Sequence, residues 1–336
     1  MKAKGNLFEN LCSYHNIRHA YLKAIRGKRK SKAVLLFSRN LEENVLLIQN
    51  QLKNLNPNWG NYKQFIIKEP KKRIISAAPF SERVMHHAIM NCIENLFERH
   101  FIFHTYACRK EKGSHAAVKY AFRKAKSHLW FVKLDVRKYF DSIDHEVLKQ
   151  NLRHLIKDIN ILVLLDSLID SYHTEAKKGI PIGNVTSQYF ANYYLSCLDH
   201  FVLEKLKAPA YARYMDDMLV FAKTKEKALE YEKNIRTFAK DYLKLELKPA
   251  LISKTSYGIP FLGFLIKPKG IYLLQKSKRR VKNRFYAIEK DLFLGLIDEK
   301  KAGERAMSTK AAIALSRSKN FCARILSGSR LWLLQR

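Results

Sequence analysis

Two adjacent aspartates interrupt an otherwise apolar run in the stretch ARYMDDMLVFA, residues 212–222. The pattern predicts two strands with Asp216 and Asp217 at the tip of the hairpin between them. Carboxylates next to a core are costly unless they are paired with a cation or hold a metal. Because Asp-Asp pairs also form ordinary turns, the pair alone leaves a catalytic and a purely structural interpretation open.

A third acid, Asp135, ends the apolar run WFVKL, residues 130–134. If the two strands are neighbours in one sheet, three carboxylates converge on one edge, where they raise each other's pKa unless a cation neutralises them. Ligands that offer only oxygen favour a hard cation such as Mg²⁺. Two such ions can stabilise both the attacking and the leaving oxygen of a phosphoryl displacement. The three acids therefore predict phosphoryl-transfer chemistry.

The charge of the chain points to a polyanionic partner. Lys and Arg number 63 against 30 acids, a formal net charge of +33. Such an excess favours binding to nucleic acid or, alternatively, to an anionic membrane surface. Acid-free or acid-poor segments occur at 10–41, 276–284 and 305–336, and we expect them to contact phosphate. Six residues carry this expectation: Lys28, Arg29, Lys30, Lys278, Arg279 and Arg280.

The composition indicates a globular protein of one large or two to three modest domains, with 336 residues of which 47% are hydrophobic. No run approaches 18 uncharged apolar residues, and the segment MKAKGNLFENLC has no signal-peptide core. Both features predict a cytoplasmic protein without a membrane span. Five scattered cysteines without CxxC spacing predict reduced thiols. His86, His87 and Cys92 lack a nearby fourth ligand, which favours helix packing over a metal site.

Periodicity predicts a mixed order of helices and strands. Helical patterns cover 6–25, 40–54, 80–98, 115–127 and 226–243. Another helix starts near DHEV, with Ser142 or Asp144 as its N-cap. A long helix follows Gly183, and the basic tail is predicted to be helical. Strand patterns cover a hairpin at 65–79, the segments 129–136 and 261–273, and the hairpin at 211–222. This order predicts an α+β fold with a sheet covered on one face by helices.

Several ordered blocks resemble reverse transcriptases. YMDD (214–217) is similar to the signature of that family, and VKLDVRKYF (132–140) resembles its first metal-binding motif. Further blocks follow in the family's order: the fingers hairpin EPKKRIISAAPFSERVMHHAI (69–89), GIPIGNVTSQ (179–188), the lysine-bearing LKLELKPALISKT (243–255) and the primer-grip region YGIPFLGFLI (257–266). The resemblance implies a right-hand polymerase architecture: fingers 1–115, palm 116–268 with a fingers insertion at about 145–178, and thumb 269–336.

The resemblance also implies roles for single residues. Asp135, Asp216 and Asp217 would hold two Mg²⁺ ions, with a further ligand from the carbonyl of Val136. Lys72 and Arg73 would clamp the triphosphate, and Phe140 would exclude a sugar with a 2′-hydroxyl. Ile182, Gly183 and Gln188 would line the nucleotide site. Lys254 would protonate the pyrophosphate or remain an ordinary solvated lysine.

Within the family, the form of GIPIGNVTSQ resembles the enzymes of diversity-generating retroelements. Ile182 takes the place of a common Gln, and Gln188 that of a common Pro. GKRKSKAVLLF (27–37) and HTYACRKEKGSHAA (104–117) resemble the same group. Retron enzymes match less well because no VTG block is present, and group II intron enzymes because nothing after the thumb resembles a maturase extension.

This subgroup implies cDNA synthesis on a retroelement RNA that is error-prone at template adenines. Its partners would be the template RNA, the cDNA or primer, deoxynucleoside triphosphates and a small basic helical accessory protein that forms an oligomer. A retron- or defence-type enzyme without a mutagenic role stays an alternative. A non-catalytic RNA-binding protein on the same fold is another, although the intact aspartate trio argues against it.

Overall fold

The computed structural model describes residues 7–67 and 73–317, together with Phe321 and Ile325. In that part of the chain the helices are α1 (Leu7–Leu11), α2 (Tyr14–Ala24), α3 (Lys32–Arg39), α4 (Leu41–Lys53), α5 (Phe80–His100), α6 (Ser114–Ala125), α7 (Tyr139–Ser142), α8 (His145–Leu155), α9 (Ile159–Asp170), α10 (Val185–Tyr194), α11 (Ser196–His200), α12 (Lys225–Asp241), α13 (Gln275–Phe293) and α14 (Glu299–Ala311). A π-helical turn, Phe201–Lys205, follows α11, and a 3₁₀ turn covers Thr255–Tyr257.

The strands form three antiparallel sheets within the described residues. They are β1 (Lys63–Ile67), β2 (Arg73–Ala77), β3 (Trp130–Leu134), β4 (Ala210–Tyr214), β5 (Asp217–Ala222), β6 (Leu251–Lys254), β7 (Ile259–Phe261), β8 (Phe264–Lys267) and β9 (Gly270–Leu273). Their spatial orders are β1-β2, β4-β5-β3-β6 and β7-β8-β9. Helices and antiparallel sheets together confirm the predicted α+β class.

The chain divides into two compact units, each built from several stretches. The first comprises residues 1–109, 135–205 and 234–248, and the second comprises 110–134, 206–233 and 249–336. The bounds of these two units do not correspond to those of the predicted fingers, palm and thumb. The bounds of fingers, palm and thumb stay a prediction.

Helix α5 forms the centre of the first unit. It packs against α2 and α10, and its buried residues include Val84, Ala88, Ile93 and Phe97. At about 100° per residue, Val84 and Ala88 lie on roughly the opposite side of the helix from Ile93 and Phe97. A helix with apolar residues on more than one side is expected to be buried, as α5 is. The hairpin of β1 and β2 pairs Lys63 with Ala77 at its open end.

The four-stranded sheet forms the core of the second unit. β5 lies between β4 and β3, and its residues Met218 to Ala222 are all buried. Such a continuous apolar run is expected for a central strand with both faces covered. Helix α6 packs against β4 and β8.

The structure corrects several predicted boundaries. The predicted helix over 6–25 is interrupted, since the Ser13 hydroxyl accepts from Asn16 N–H at 3.2 Å and starts a new helix. The long helix after Gly183 ends at Tyr194, and Ser196 at the start of α11 bonds back to the Tyr193 carbonyl at 2.6 Å. Residues 261–273 form parts of three strands instead of one, because the chain reverses at Leu262 and Gly263, which have positive φ, and again between Lys267 and Gly270.

Other predictions are confirmed. The hairpins, α4, α5, α6, α8 and α12 lie where periodicity placed them. The N-cap of α8 is Asp144, whose carboxylate accepts from Val147 N–H at 3.0 Å. Cys12, Cys92 and Cys108 are free thiols.

Among the described helices, none is both long and apolar enough to cross a bilayer.

Candidate active site

The two aspartates lie at a tight turn between β4 and β5. Tyr214 pairs with Asp217, so Met215 and Asp216 form a two-residue loop. Met215 has φ of 53°, a left-handed conformation that is strained for this residue type. The buried Arg213 donates from a guanidinium nitrogen to the Met215 carbonyl oxygen at 3.0 Å and so supports this turn.

Asp135 follows the strand that neighbours this turn. β3 pairs with β5 in antiparallel register, with Trp130 opposite Ala222 at one end and Leu134 opposite Met218 at the other. Asp135 is the next residue along the chain after Leu134, and Asp217 is the residue before Met218. The premise of the sequence argument, that the two strands are neighbours in one sheet, is therefore confirmed.

Two of the acids are paired with lysines that the sequence argument did not single out. The Lys248 ammonium lies 2.8 Å from Oδ2 of Asp135. The Lys133 ammonium lies 3.2 Å from Oδ1 of Asp217. Lys133 stands two residues before Asp135 in β3, so strand alternation could have drawn attention to it. Lys248 could not be identified from spacing, since its position depends on the pairing of distant segments.

The three acids offer only oxygen ligands, which hard divalent cations prefer. Within the described residues, no group of three or more His, Cys, Asp or Glu side chains is arranged as a metal site. Oδ1 of Asp135, however, is buried and accepts no hydrogen bond from the described part of the chain. A buried carboxylate oxygen of this kind is costly unless a cation or donor reaches it. The residues therefore fit a metal bound through oxygen.

The first unit contains a cavity of about 780 Å³. Its cationic lining residues are Arg73, Lys138, Lys178 and Lys244, and Ile182 lies among them. The volume is within the range of small-molecule sites, about 300–1,000 Å³. Asp141 also lines the cavity, and burial raises the pKa of its carboxyl above the ordinary value despite the opposing effect of Lys138. Lys72 lies outside the described residues.

The backbone of Ile182 is bound to the β1–β2 hairpin. The Ser76 N–H donates to the Ile182 carbonyl oxygen at 2.9 Å. Gly183 has φ of 139°, and a Cβ there would lie 3.0 Å from the Ser76 carbonyl oxygen and 3.1 Å from Cγ2 of Ile75. Glycine at 183 therefore permits a close approach of the two segments, which brings Ile182 and Arg73 to one cavity.

The remaining residues of the predicted nucleotide site are less closely grouped. Gln188 lies on α10, where its Oε1 accepts from the Cys108 thiol at 3.4 Å. Phe140 is half-buried, contacts the Tyr139 ring and accepts from Ile180 N–H at 2.9 Å through its carbonyl. Val136 is buried and forms a bridge with Leu247.

Lys254 is at the other end of β3 from Asp135. It pairs with Trp130, and its ammonium lies 5.8 Å from the centre of that ring. Trp130 is the first of the five residues of β3, whereas Asp135 follows Leu134, the last of them. The assigned role of Lys254 on a leaving group stays a prediction, whereas Lys248 is the lysine that contacts Asp135.

The predicted phosphate contacts lie on exposed segments. Lys28, Arg29 and Lys30 occupy the exposed turn between α2 and α3. Lys278, Arg279 and Arg280 belong to the first half of α13, where Arg279 is exposed and the other two are half-buried.

His86 of α5 is a packing residue. His86 is buried, lies 3.3 Å from the Glu82 carboxylate and is hydrogen-bonded to the Thr186 hydroxyl at 2.8 Å. This pair joins α5 to the first turn of α10. Burial lowers the pKa of His87 to about 4, helped by the nearby charge of Lys23.

Comparisons with known proteins identify the class. A family model described as reverse transcriptase (RNA-dependent DNA polymerase) matches residues 66–266, more than half of the chain. The chain belongs to the reverse transcriptase family.

Similar curated proteins include intron proteins. The chain is 23% identical over 309 residues to the group II intron-encoded protein LtrA of Lactococcus lactis subsp. cremoris, covering 70% of this chain and 51% of that protein. It is 25% identical over 252 residues to protein YkfC of Escherichia coli, covering 60% of this chain and 65% of YkfC. The chain thus spans about half to two thirds of the length of these relatives. Neither name refers to a diversity-generating retroelement.

A solved structure of apo telomerase from Candida tropicalis, truncated from the C-terminal domain, is also similar. The TM-score is 0.49 at 14% identity, and the match covers 65% of this chain and 56% of the telomerase chain.

Proposed function

We propose that the chain is an RNA-directed DNA polymerase that makes cDNA on a retroelement RNA. The observation that carries this proposal is the register of β3 on β5, since it pairs Leu134, the residue before Asp135, with Met218, the residue after Asp217. In a chain of the reverse transcriptase family, carboxylates at adjacent strand ends are suited to nucleotidyl transfer.

Asp135, Asp216 and Asp217 would hold two Mg²⁺ ions, with the Val136 carbonyl as a further ligand. When bound, the ions would activate the primer 3′-hydroxyl and neutralise charge on the leaving group. The buried and unsatisfied Oδ1 of Asp135 supports a cation at this carboxylate.

The cavity lined by Arg73 and Ile182 is the proposed nucleotide site. Cations that meet the charge developing on the pyrophosphate lower the barrier to transfer, which is the role we assign to Arg73 and to Lys72. Phe140 would exclude a 2′-hydroxyl and so select deoxynucleotides, while Gly183 and Gln188 complete the site. Lys254 would protonate the leaving pyrophosphate or remain an ordinary solvated lysine.

The polymerase proposal is tested by supplying the purified chain with an RNA template, a DNA primer, deoxynucleotides and Mg²⁺. We expect cDNA from the wild type and none from Asp216→Ala. Failure of both proteins to make cDNA, with and without a candidate accessory protein, would contradict the proposal, and so would equal yields from the two.

We further propose that synthesis is error-prone at template adenines, as in diversity-generating retroelements. Ile182 supports this because an isoleucine in the nucleotide cavity can neither donate nor accept a hydrogen bond. Discrimination by apolar fit is weak, about 1–3 kcal/mol. A small basic helical accessory protein would be a partner, and the cytoplasm the expected location.

The mutagenic proposal predicts the effect of Ile182→Gln on cDNA errors. An amide at position 182 adds a directional contact to the base pair, so we expect fewer errors at template adenines. Sequencing of the cDNA measures the error frequency at each template base. If Ile182→Gln leaves the adenine errors unchanged, Ile182 is not their cause.

The main alternative is a reverse transcriptase of retron, defence or group II intron type, whose product is the cDNA itself. The similarity to the group II intron-encoded protein LtrA supports this alternative. Uniformly low error frequencies on all four template bases would support it. A non-catalytic RNA-binding protein would instead bind template without making cDNA.

A further inference from the structure

Lys248 contacts Asp135 through both its backbone and its side chain. The Lys248 N–H donates to the Asp135 carbonyl oxygen at 2.9 Å, and its ammonium lies 2.8 Å from Oδ2 of the same residue. Next to this pair, Val136 and Leu247 form an antiparallel bridge. The two segments are therefore in fixed register where they face each other.

The backbone of Lys248 is also held from its other side. The Arg236 guanidinium donates to the carbonyl oxygens of Leu247 at 2.9 Å and Lys248 at 3.0 Å. The Lys248 side chain, in contrast, is 41% exposed, and that of Asp135 is 29% exposed. Because the ammonium sits on a flexible four-carbon stem, it can turn into solvent while the backbone stays in place.

A second lysine repeats the arrangement in the other unit. Lys133 and Asp217 form an ion pair at 3.2 Å, with side chains 23% and 22% exposed. Two of the three carboxylates proposed as metal ligands thus have a lysine of their own. The charge of each is compensated before any divalent ion arrives.

We propose that Lys248 is a resident cation that neutralises Asp135 in the metal-free protein and that a divalent ion must displace. Lys248 is then a positioning residue that sets the metal affinity of the site. This inference rests on the proposed function, because it takes Asp135 as a metal ligand.

The proposal predicts two effects of opposite sign for Lys248→Met. The metal-free protein becomes less stable, since the Asp135 carboxylate loses its cation while its Oδ1 is already unsatisfied among the described residues. Metal affinity rises, because the ion no longer competes with an ammonium. For a partly exposed ion pair, we expect binding to tighten about two- to fivefold. A merely structural role would lower stability without tightening metal binding.

The test titrates each protein with Mn²⁺ and measures free Mn²⁺ by electron paramagnetic resonance, with melting temperatures recorded in EDTA. Lys248→Arg keeps the charge and should bind Mn²⁺ as the wild type does. Lys149→Met removes the lysine of a different ion pair, with Asp170 at 2.6 Å, and should also match the wild type. Lys248→Gln removes the charge while keeping a polar side chain and replaces Lys248→Met if that variant does not fold.

The variant Asp135→Asn distinguishes a failure of the inference about Lys248 from a failure of the proposed metal site. Weaker Mn²⁺ binding by Asp135→Asn together with tighter binding by Lys248→Met supports the inference. Weaker binding by Asp135→Asn with unchanged or weaker binding by Lys248→Met overturns the inference and leaves the proposed metal site standing. If Asp135→Asn binds Mn²⁺ as the wild type does, the proposed metal site itself is wrong.

Discussion

At the scale of single residues, the acids next to an apolar sheet are tolerated because cations accompany them. Asp135 and Asp217 lie at the ends of strands whose other residues are largely buried. Lys248 and Lys133 supply positive charge at 2.8 and 3.2 Å from these carboxylates. A charged group partly removed from water is stable only with such compensation. We propose that, in this arrangement, a divalent ion exchanges with an ammonium.

His87 gives the fold a predictable sensitivity to acid. Its pKa in the folded protein is lowered from 6.5 to about 4, mainly by burial and also by Lys23, His86, Arg83 and Lys28. Between these two pH values the unfolded chain binds more protons than the folded one, so stability falls as the pH decreases from 6.5 towards 4. Replacing His87 with Gln should flatten this decline, as measured by urea unfolding at several pH values.

A matched control for this prediction is His154→Gln, which changes an exposed histidine near the end of α8. That variant should keep the wild-type pH dependence. An identical acid profile for His87→Gln and the wild type would show that His87 is not responsible.

At the scale of elements, the β1–β2 hairpin and the GIPIG segment are joined by a close backbone contact. Ala at position 183 would place a Cβ 3.0 Å from the Ser76 carbonyl oxygen in a backbone conformation with φ of 139°. We expect Gly183→Ala to lower the free energy of unfolding by about 1–3 kcal/mol. Chemical denaturation measures this change.

The control is Gly303→Ala in α14, where a Cβ would meet nothing within 4 Å. Because alanine is the better helix former, this variant should be more stable by about 0.5–1 kcal/mol. Equal effects of the two substitutions would contradict the steric explanation for Gly183.

The first turn of α13 supports the turn between β7 and β8. The Ser277 hydroxyl donates to the Gly263 carbonyl oxygen at 2.7 Å, and the Leu274 N–H donates to the same oxygen at 3.2 Å. Loss of the buried hydroxyl in Ser277→Ala should cost about 1 kcal/mol of unfolding free energy and speed hydrogen exchange at residues 259–273. Ser277→Thr should largely restore protection; slow exchange in Ser277→Ala would speak against the coupling.

At the scale of the whole molecule, the net charge of +33 predicts strongly salt-dependent binding of nucleic acid. If α13 contacts phosphate, exchanging Lys278 and Arg279 for Gln should reduce the slope of log affinity against log salt by about 1.5–2. Fluorescence anisotropy with a labelled RNA–DNA duplex measures the slope. The control exchanges Lys300 and Lys301 for Gln and tests for a general effect of net charge. It should change the slope less. Equal changes of the slope would show that α13 does not contact phosphate preferentially.

Local signals in the sequence were sufficient for much of the fold. The Asp144 cap and the helix α5 follow from residues close together in the chain, and both are confirmed. The turns inside 261–273 were missed because alternation of apolar residues continues through them. Helices α3 and α9 are not predicted from the sequence. The first begins within a basic segment, and the second lies in the predicted fingers insertion at about 145–178.

The sequence pattern singles out the acids of the candidate site but not the lysines that pair with them. Asp135, Asp216 and Asp217 stand out because acids interrupt apolar strands, and the pairing of β3 with β5 confirms the premise behind them. Lys254 is assigned from its motif position, and its role stays a prediction. Which lysine contacts Asp135 depends on the bridge of Val136 with Leu247, a pairing between segments more than 100 residues apart that sequence spacing does not reveal.

The most direct test of the central claim is incorporation of a single deoxynucleotide on an RNA template. Single-turnover extension of a labelled DNA primer would be compared for the wild type, Asp135→Asn, Asp216→Asn, and the control Asp166→Asn, which changes an acid paired with Arg153. Extension that requires a divalent ion and is lost in the first two variants alone is the predicted result. Extension by Asp135→Asn or Asp216→Asn at the wild-type rate would contradict the account.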